Sequence, residues 1–160
     1  MRTIKFRGKD FHSGEWFYGN LFVKDSHGRA HISTPECGCL RINPDTVGQF
    51  TGITDEHGKE VFEGDVLEAN YKYESIGHNG CVVPDNDCIC YGVVEFDNDA
   101  LQWVLNVYKA EYPISEQIKE DGCSLTPLYI FGHEYGYDNC NLRIIGNRFD
   151  NPELLKGGEK

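Results

Sequence analysis

The chain has 160 residues and a formal net charge of −11, from 26 acidic and 15 basic residues. This length is enough for one domain with its own hydrophobic core, and the negative charge disfavours generic binding to DNA or RNA, whose phosphates it repels. No apolar run approaches the roughly 18–20 residues that span a bilayer. Residues 1–10 lack the apolar segment of a signal peptide. We therefore expect a cytoplasmic protein.

Composition and alternation predict a mainly β protein. Aromatic residues make up 12% of the chain and glycine occurs 18 times, which is typical of β-rich proteins with many turns. Residues 3–7 alternate, with Ile4 and Phe6 predicted to face inward and Lys5 and Arg7 outward. We interpret these cations, with Lys9, as the solvated side of a first strand rather than as a nucleic-acid site.

Residues 16–23 are apolar on both faces of a predicted strand. Trp16, Tyr18 and Phe22 alternate with Phe17, Leu21 and Val23. Such a strand is either sandwiched within the protein or has one face against another subunit. Further strands are predicted at residues 29–34 and 40–42.

The most definite pattern lies between residues 47 and 70. Residues 50–54 and 60–62 are short β-type runs around a turn in which Gly58 can take a positive φ. Gly64 marks a second reversal, and residues 66–73 alternate as a half-buried strand, with Leu67 and Ala69 on one face.

The second half of the chain predicts a hairpin, a last strand and little helix. Residues 92–96 and 101–107 flank the turn Asp97-Asn98-Asp99, and the strongest core stripe consists of Leu101, Trp103, Leu105 and Val107. Residues 74–91 are polar and predict a long, partly ordered excursion. A short helix is predicted at residues 114–120, strands at 128–131 and 142–149, and a helical turn at 151–155.

These elements predict a small SH3-like barrel with a companion sheet. Closing the strand 66–73, the hairpin 92–107 and the last strand into a barrel would bury Leu67, Trp103 and Ile145 together. Residues 1–45 would form an N-terminal β-sheet portion. We expect one domain over residues 1–160, with insertions at about 74–91 and 110–141.

Several motifs resemble the YopX family of phage and prophage proteins. They are QFTG, D-x-x-GK and EGD within residues 47–70, IKFRGKD at residues 4–10, GVVEFD at 92–97 and IIGNRFDNPELL at 144–155. They occur in the order of the family and extend over most of the chain. The resemblance implies a small, largely β protein of phage or prophage origin. It implies no activity and no catalytic residue.

The cysteines are the strongest candidates for chemistry. An odd count of seven without an export signal argues against a disulfide framework. Two Cys-x-Cys pairs, Cys37/Cys39 and Cys88/Cys90, could present four thiolates to one zinc ion, because residues two apart on a strand point the same way. Structural zinc sites usually have two or more residues between the two cysteines of each pair. We therefore prefer to interpret these residues as small buried or loop cysteines. No cofactor or metal is predicted, and the zinc site stays open.

Other polar motifs are incomplete as sites. His133-Glu134 lacks the second histidine of a zincin helix. Asp85/Asp87 and Asp97/Asp99 lack the glycine and distal glutamate of a calcium loop and are interpreted as turn residues. Glu63 and Asp65 flank a defined turn, where a carboxylate is expected to cap backbone amides.

These observations favour a non-enzymatic binding or structural module that forms a homo-oligomer through residues 16–23. Its partner would be an unknown host or phage protein, without direct binding to nucleic acid or membrane. One alternative is an acidic inhibitor or nucleic-acid mimic that acts on a DNA-handling protein, with an acidic cluster at residues 116–121. Another is a small cysteine-dependent metal protein or enzyme.

Overall fold

A computed structural model describes residues 3–23, 28–35, 38–76, 82–111, 125–127 and 141–158. For residues 23, 71–76, 82–88, 111, 125–127 and 157–158 the description is of the backbone. The described part of the chain is mainly β, as predicted, and forms two antiparallel sheets. It contains no helix that is long and apolar enough to cross a membrane.

The described residues form eleven strands and two 3₁₀ segments. The strands are β1 (Phe6–Lys9), β2 (Trp16–Val23), β3 (Ala30–Thr34), β4 (Gly38–Ile42), β5 (Gly48–Thr54), β6 (Glu60–Phe62), β7 (Asp65–Ile76), β8 (Val82–Asp97), β9 (Gln102–Glu111), β10 (Leu125–Pro127) and β11 (Asn141–Asn147). A 3₁₀ turn lies at Pro44–Thr46 and a C-terminal 3₁₀ segment at Pro152–Gly158.

The chain divides into two compact units. The first unit consists of Met1–Ile53 and Glu60–Glu63, and the second of Thr54–Lys59 and Gly64–Lys160. All of the net charge belongs to the second unit. The first contains seven basic and seven acidic residues, whereas the second contains eight basic and nineteen acidic residues.

The first sheet has the strand order β4-β3-β2-β1-β5-β6 and curls on itself. An isolated bridge joins Asp10 to Ile42, and the amide of Phe11 donates to the carbonyl of Arg41 at 3.1 Å. The end of β1 therefore meets the end of β4 through a single bridge and not through a full ladder.

The concave side of this curl carries the core of the first unit. Ala30, Ile32 and Ile42 are buried there, and Leu21 and Val47 pack against them. Gly19 permits the close approach of β2 and β3, because a Cβ at this position would lie 2.2 Å from the carbonyl oxygen of Ser33. The tight curl thus depends on an absent side chain as much as on apolar ones.

The second sheet has the order β10-β9-β8-β7-β11 and longer central strands, with 12 residues in β7 and 16 in β8. Val66 and Leu67 are both fully buried although they point to opposite faces. The C-terminal 3₁₀ segment packs against β9 of the same sheet. A Cβ on Gly146 would lie 2.8 Å from Leu154 Cδ1, so the segment is also tightly seated on β11.

Three sequence expectations about the strands and the barrel need correction or lack support. The predicted excursion at 74–91 is wrong for residues 74–76 and 82–91, which extend β7 and β8 as one ladder. Backbone hydrogen bonds hold such a ladder without an alternating side-chain pattern. The SH3-like barrel is not confirmed, because the second sheet is open in the described residues and its edges are β10 and β11.

Leu101 is the third case. It is 75% exposed and has a φ of 54°, whereas Leu105 and Val107 of the same predicted stripe are buried. The chain is still in the turn at Leu101, since β9 begins at Gln102. The helix at 114–120, the strand at 128–131 and the acidic cluster at 116–121 lie outside the described residues.

Candidate functional site

The candidate site is the convex side of the first sheet, opposite the core of the first unit. We call this side the outer face. Its members are aromatic or basic and come from β1 to β4 and from the residue before β1: Lys5, Arg7, Lys9, Trp16, Tyr18, Phe22, His31 and Arg41.

The strand register brings these residues together. Arg7 pairs with Tyr18 and Lys9 with Trp16, so the cations of β1 lie beside the aromatic residues of β2. Strand β3 is the other neighbour of β2, and there His31 pairs with Phe22. Paired residues of an antiparallel ladder share a face, and the alternation predicted for residues 16–23 is what places these rings on one side.

Arg7 is the centre of the outer face. Its guanidinium carbon lies 4.7 Å from the ring centroid of Trp16 and 5.1 Å from that of Phe62, and its Nη2 donates to the carbonyl of Glu63 at 3.1 Å. Only 5% of the residue is exposed. The expectation that Arg7 is solvated is therefore wrong, because aromatic rings cover a cation whose charge they can stabilise.

The lysines on either side of Arg7 in the sequence also contact aromatic rings. Lys5 Nζ lies 5.6 Å from the Tyr18 centroid and forms an ion pair with Glu60 at 2.5 Å. Lys9 Nζ lies 5.5 Å from the Trp16 centroid. Ile4, which was expected to face inward, is 62% exposed because it precedes the first residue of β1.

The opposite edge of the outer face repeats this chemistry. The rings of Phe22 and His31 are stacked, with centroids 6.2 Å apart. The guanidinium carbon of Arg41 lies 4.1 Å from the ring centroid of Phe11. His31 Nδ1 is buried and has no hydrogen-bond partner among the described residues, so an added donor or acceptor could satisfy it.

The outer face presents both apolar surface and positive charge. Tyr18 is 43% exposed and Phe22 39% exposed, although both are large aromatic residues on a regular strand. Neighbouring side chains fix these rings, so a partner would order few additional groups on binding. Aromatic residues and arginine at a surface are typical of residues that dominate binding energy.

The cysteine prediction is only partly covered by the described residues. Cys39 is exposed on β4 and Cys90 is buried on β8, whereas Cys37 and the side chain of Cys88 lie outside the description. Among the described side chains, no group of three or more His, Cys, Asp or Glu residues could hold a metal ion. The four-thiolate zinc site remains untested, and His133 and Glu134 also lie outside the described residues.

The carboxylates of the turns have structural contacts. Asp97 Oδ1 accepts from the amides of Asp99 and Ala100, as its interpretation as a turn residue requires. Asp10 Oδ1 accepts from the amides of Ser13 at 2.7 Å and His12 at 3.0 Å, and these backbone hydrogen bonds lower the pKa of Asp10.

The carboxylate that accepts the most backbone hydrogen bonds among the turn residues, Asp55, was not singled out from the sequence. Asp55 is 7% exposed, and its Oδ1 accepts from the amides of His57 and Lys59, each at 2.9 Å. Asp65, which was expected to cap a turn, is 2% exposed. The D-x-x-G spacing up to Gly58, whose φ is 77°, is the signal that could have identified Asp55.

Comparisons with known proteins agree with the motifs in the chain. A comparison with curated proteins gave no match. The family model described as YopX protein matches residues 5–156, which include almost every element described above. This chain belongs to the YopX protein family.

Proposed function

We propose that the protein is a non-enzymatic binding module whose contact surface is the outer face. It would act in the bacterial cytoplasm as a protein of phage or prophage origin and would bind another protein. The observation that carries the proposal is the pair of partly exposed rings, Tyr18 and Phe22, within a set of fixed cations. Interface cores combine such aromatic residues with arginine.

The charge of this face defines the kind of partner. Lys5, Lys9 and Arg41 place positive charge at this face, with Lys5 in an ion pair with Glu60, whereas Arg7 is buried beneath the rings. A partner with an acidic rim around an apolar centre would complement this pattern. Single-stranded nucleic acid also offers negative charge and flat rings, but the first unit has as many acidic as basic residues and so offers a phosphate backbone no net positive charge.

The test is a pull-down from a bacterial lysate with matched variants. Tyr18→Thr/Phe22→Thr removes both rings and keeps residues that favour strands. Ile4→Thr is the control, because it removes a more exposed apolar side chain that lies before β1. We expect the wild type and Ile4→Thr to retain the same protein and the double variant to lose about tenfold or more of it.

Two outcomes would contradict the proposal. Equal capture by all three chains would show that the outer face is not the contact surface. Loss of capture after nuclease treatment would show that the partner is nucleic acid. A salt series separates the electrostatic part of a retained interaction, because the screening length falls from about 10 Å at 0.1 M to about 3 Å at 1 M salt.

The charge distribution favours one second candidate, an acidic mimic of nucleic acid. Nineteen acidic against eight basic residues belong to the second unit, and the first unit is neutral. A mimic would bind a DNA-handling protein through the second unit, and duplex DNA would compete for that protein. Capture that depends on Tyr18 and Phe22 and resists added DNA would favour the binding module instead.

A further inference from the structure

The second unit has an exposed apolar site of its own at the turn between β8 and β9. We call it the hairpin tip and define it as Phe96, Asp97, Asp99 and Leu101. Leu101 is 75% exposed and Phe96 37% exposed. The ring of Phe96 packs edge-on against the ring of Trp103, with the ring centroids 5.0 Å apart. The Asp97 and Asp99 carboxylates accompany these apolar side chains within the same turn.

Leu101 is also strained. Its φ of 54° lies in the left-handed region, and among the described residues it is the non-glycine residue with a positive φ. This conformation is unfavourable for a residue with a Cβ, and asparagine or glycine would relieve it. Because Leu101 is exposed, its side chain makes few packing contacts that would offset this strain. The fold therefore does not explain a leucine at this position, and strained residues of this kind occur at functional sites.

The hairpin tip and the outer face are complementary. The large exposed apolar residues in the described part of the chain fall into two groups, Ile4, Phe11, Tyr18 and Phe22 in the first unit and Phe96 and Leu101 in the second. Tyr18 and Phe22 are accompanied by Lys5, Lys9 and Arg41, whereas Phe96 and Leu101 are accompanied by aspartates. Both the apolar contacts and the charges would therefore match.

We propose that the hairpin tip of one copy docks on the outer face of a second copy. Leu101 and Phe96 would contact Tyr18 and Phe22, while Asp97 and Asp99 would face the surrounding cations. This inference rests on the proposed function, because it names a second copy as the protein that the outer face binds. The contact joins two different surfaces, so a dimer still offers one unused tip on one copy and one unused face on the other, and assembly continues beyond a dimer or closes as a ring.

The test is a mixing experiment followed by sedimentation velocity. The face variant is Tyr18→Thr/Phe22→Thr and the tip variant is Leu101→Asn, with Ala100→Asn as the control that adds the same residue beside an intact leucine. We expect the wild type and the control to associate with rising concentration, less strongly at high salt. Each of the other two variants alone should associate about tenfold or more weakly.

Mixing the two defective variants gives the decisive result. The face variant keeps an intact tip and the tip variant an intact face, so an equimolar mixture should form heterodimers and stop there. Failure of the mixture to associate, although both variants weaken the wild-type assembly, would indicate a symmetric contact and overturn the inference. A wild type that stays monomeric up to about 1 mM would also overturn it.

Stability separates a binding role of Leu101 from a structural one. Leu101→Asn should raise Tm by about 2–4 °C, because asparagine tolerates the left-handed conformation, while self-association falls. A lower Tm would show that the leucine serves the fold and would count against the docking role. If the wild type is monomeric but capture of another protein still depends on Tyr18 and Phe22, the proposed function stands and this inference fails.

Discussion

The two units of the chain differ in where their charge and their apolar surface lie. The first unit is electrically neutral, has strands of three to eight residues, and carries aromatic residues and cations on one exposed face. The second carries the whole charge of −11, and its long central strands are buried around Val66, Leu67 and Val94. The total charge of a chain therefore does not describe the surface of each of its parts.

The largest expected effect tests whether the first unit depends on its small core. Ile32 is fully buried in the curl of the first sheet, and Ile32→Ala should lower the free energy of unfolding by about 2–5 kcal/mol. Ile4→Ala removes the same atoms from a side chain that is 62% exposed, and its effect should stay within about 0.5 kcal/mol. Urea unfolding followed by tryptophan fluorescence measures both. Similar effects of the two variants would contradict the assignment of the core.

A smaller change in stability is expected when the turn at residues 54–59, which belongs to the second unit, is altered. Asp55→Ala leaves the amides of His57 and Lys59 without their charged acceptor, which should lower stability by about 1–3 kcal/mol. Asp55→Asn keeps one oxygen and should recover much of this loss. Hydrogen exchange of the two amides reports the contact directly. If both variants were as stable as the wild type, Asp55 would not organise the turn.

The smallest effect concerns pH and the turn after β1. Backbone hydrogen bonds from Ser13 and His12 lower the pKa of Asp10 below its ordinary value of 3.8. A lowered carboxyl pKa gives stability that is present above 3.8 and is lost as pH falls through the folded value. The urea midpoint of the wild type should therefore exceed that of Asp10→Asn near neutral pH, and the difference should shrink at acidic pH. A difference that grew on acidification would contradict the assignment.

Alternation along the sequence predicted most of the strands and the two faces of β2. It worked because residues 16–23 lie on a regular strand, where every second side chain shares a face. It failed at Leu101 and Ile4, which lie beside strands and not in them, since a stripe of apolar residues does not show where the turn ends. It also failed for residues 82–91, whose long ladder depends on backbone pairing that polar side chains do not report.

The outer face could be predicted only in part. The aromatic side of β2 was visible in the sequence, and the cations of β1 were visible as an alternating series. Their pairing was not, because the register Arg7 to Tyr18 and Lys9 to Trp16 depends on where the intervening turn ends. The burial of Arg7 also depends on Phe62, which is 55 positions away in the chain and has no local signal.

The most direct test of the outer face as a contact surface is hydroxyl-radical footprinting of the intact chain. Labelling of Tyr18 and Phe22 would be measured by mass spectrometry, with and without the protein that the pull-down retains, or at low and high concentration if that protein is a second copy. We predict that labelling of both residues falls on binding while labelling of Ile4 stays constant. Equal labelling of Tyr18 and Phe22 in the free and bound states would contradict the account.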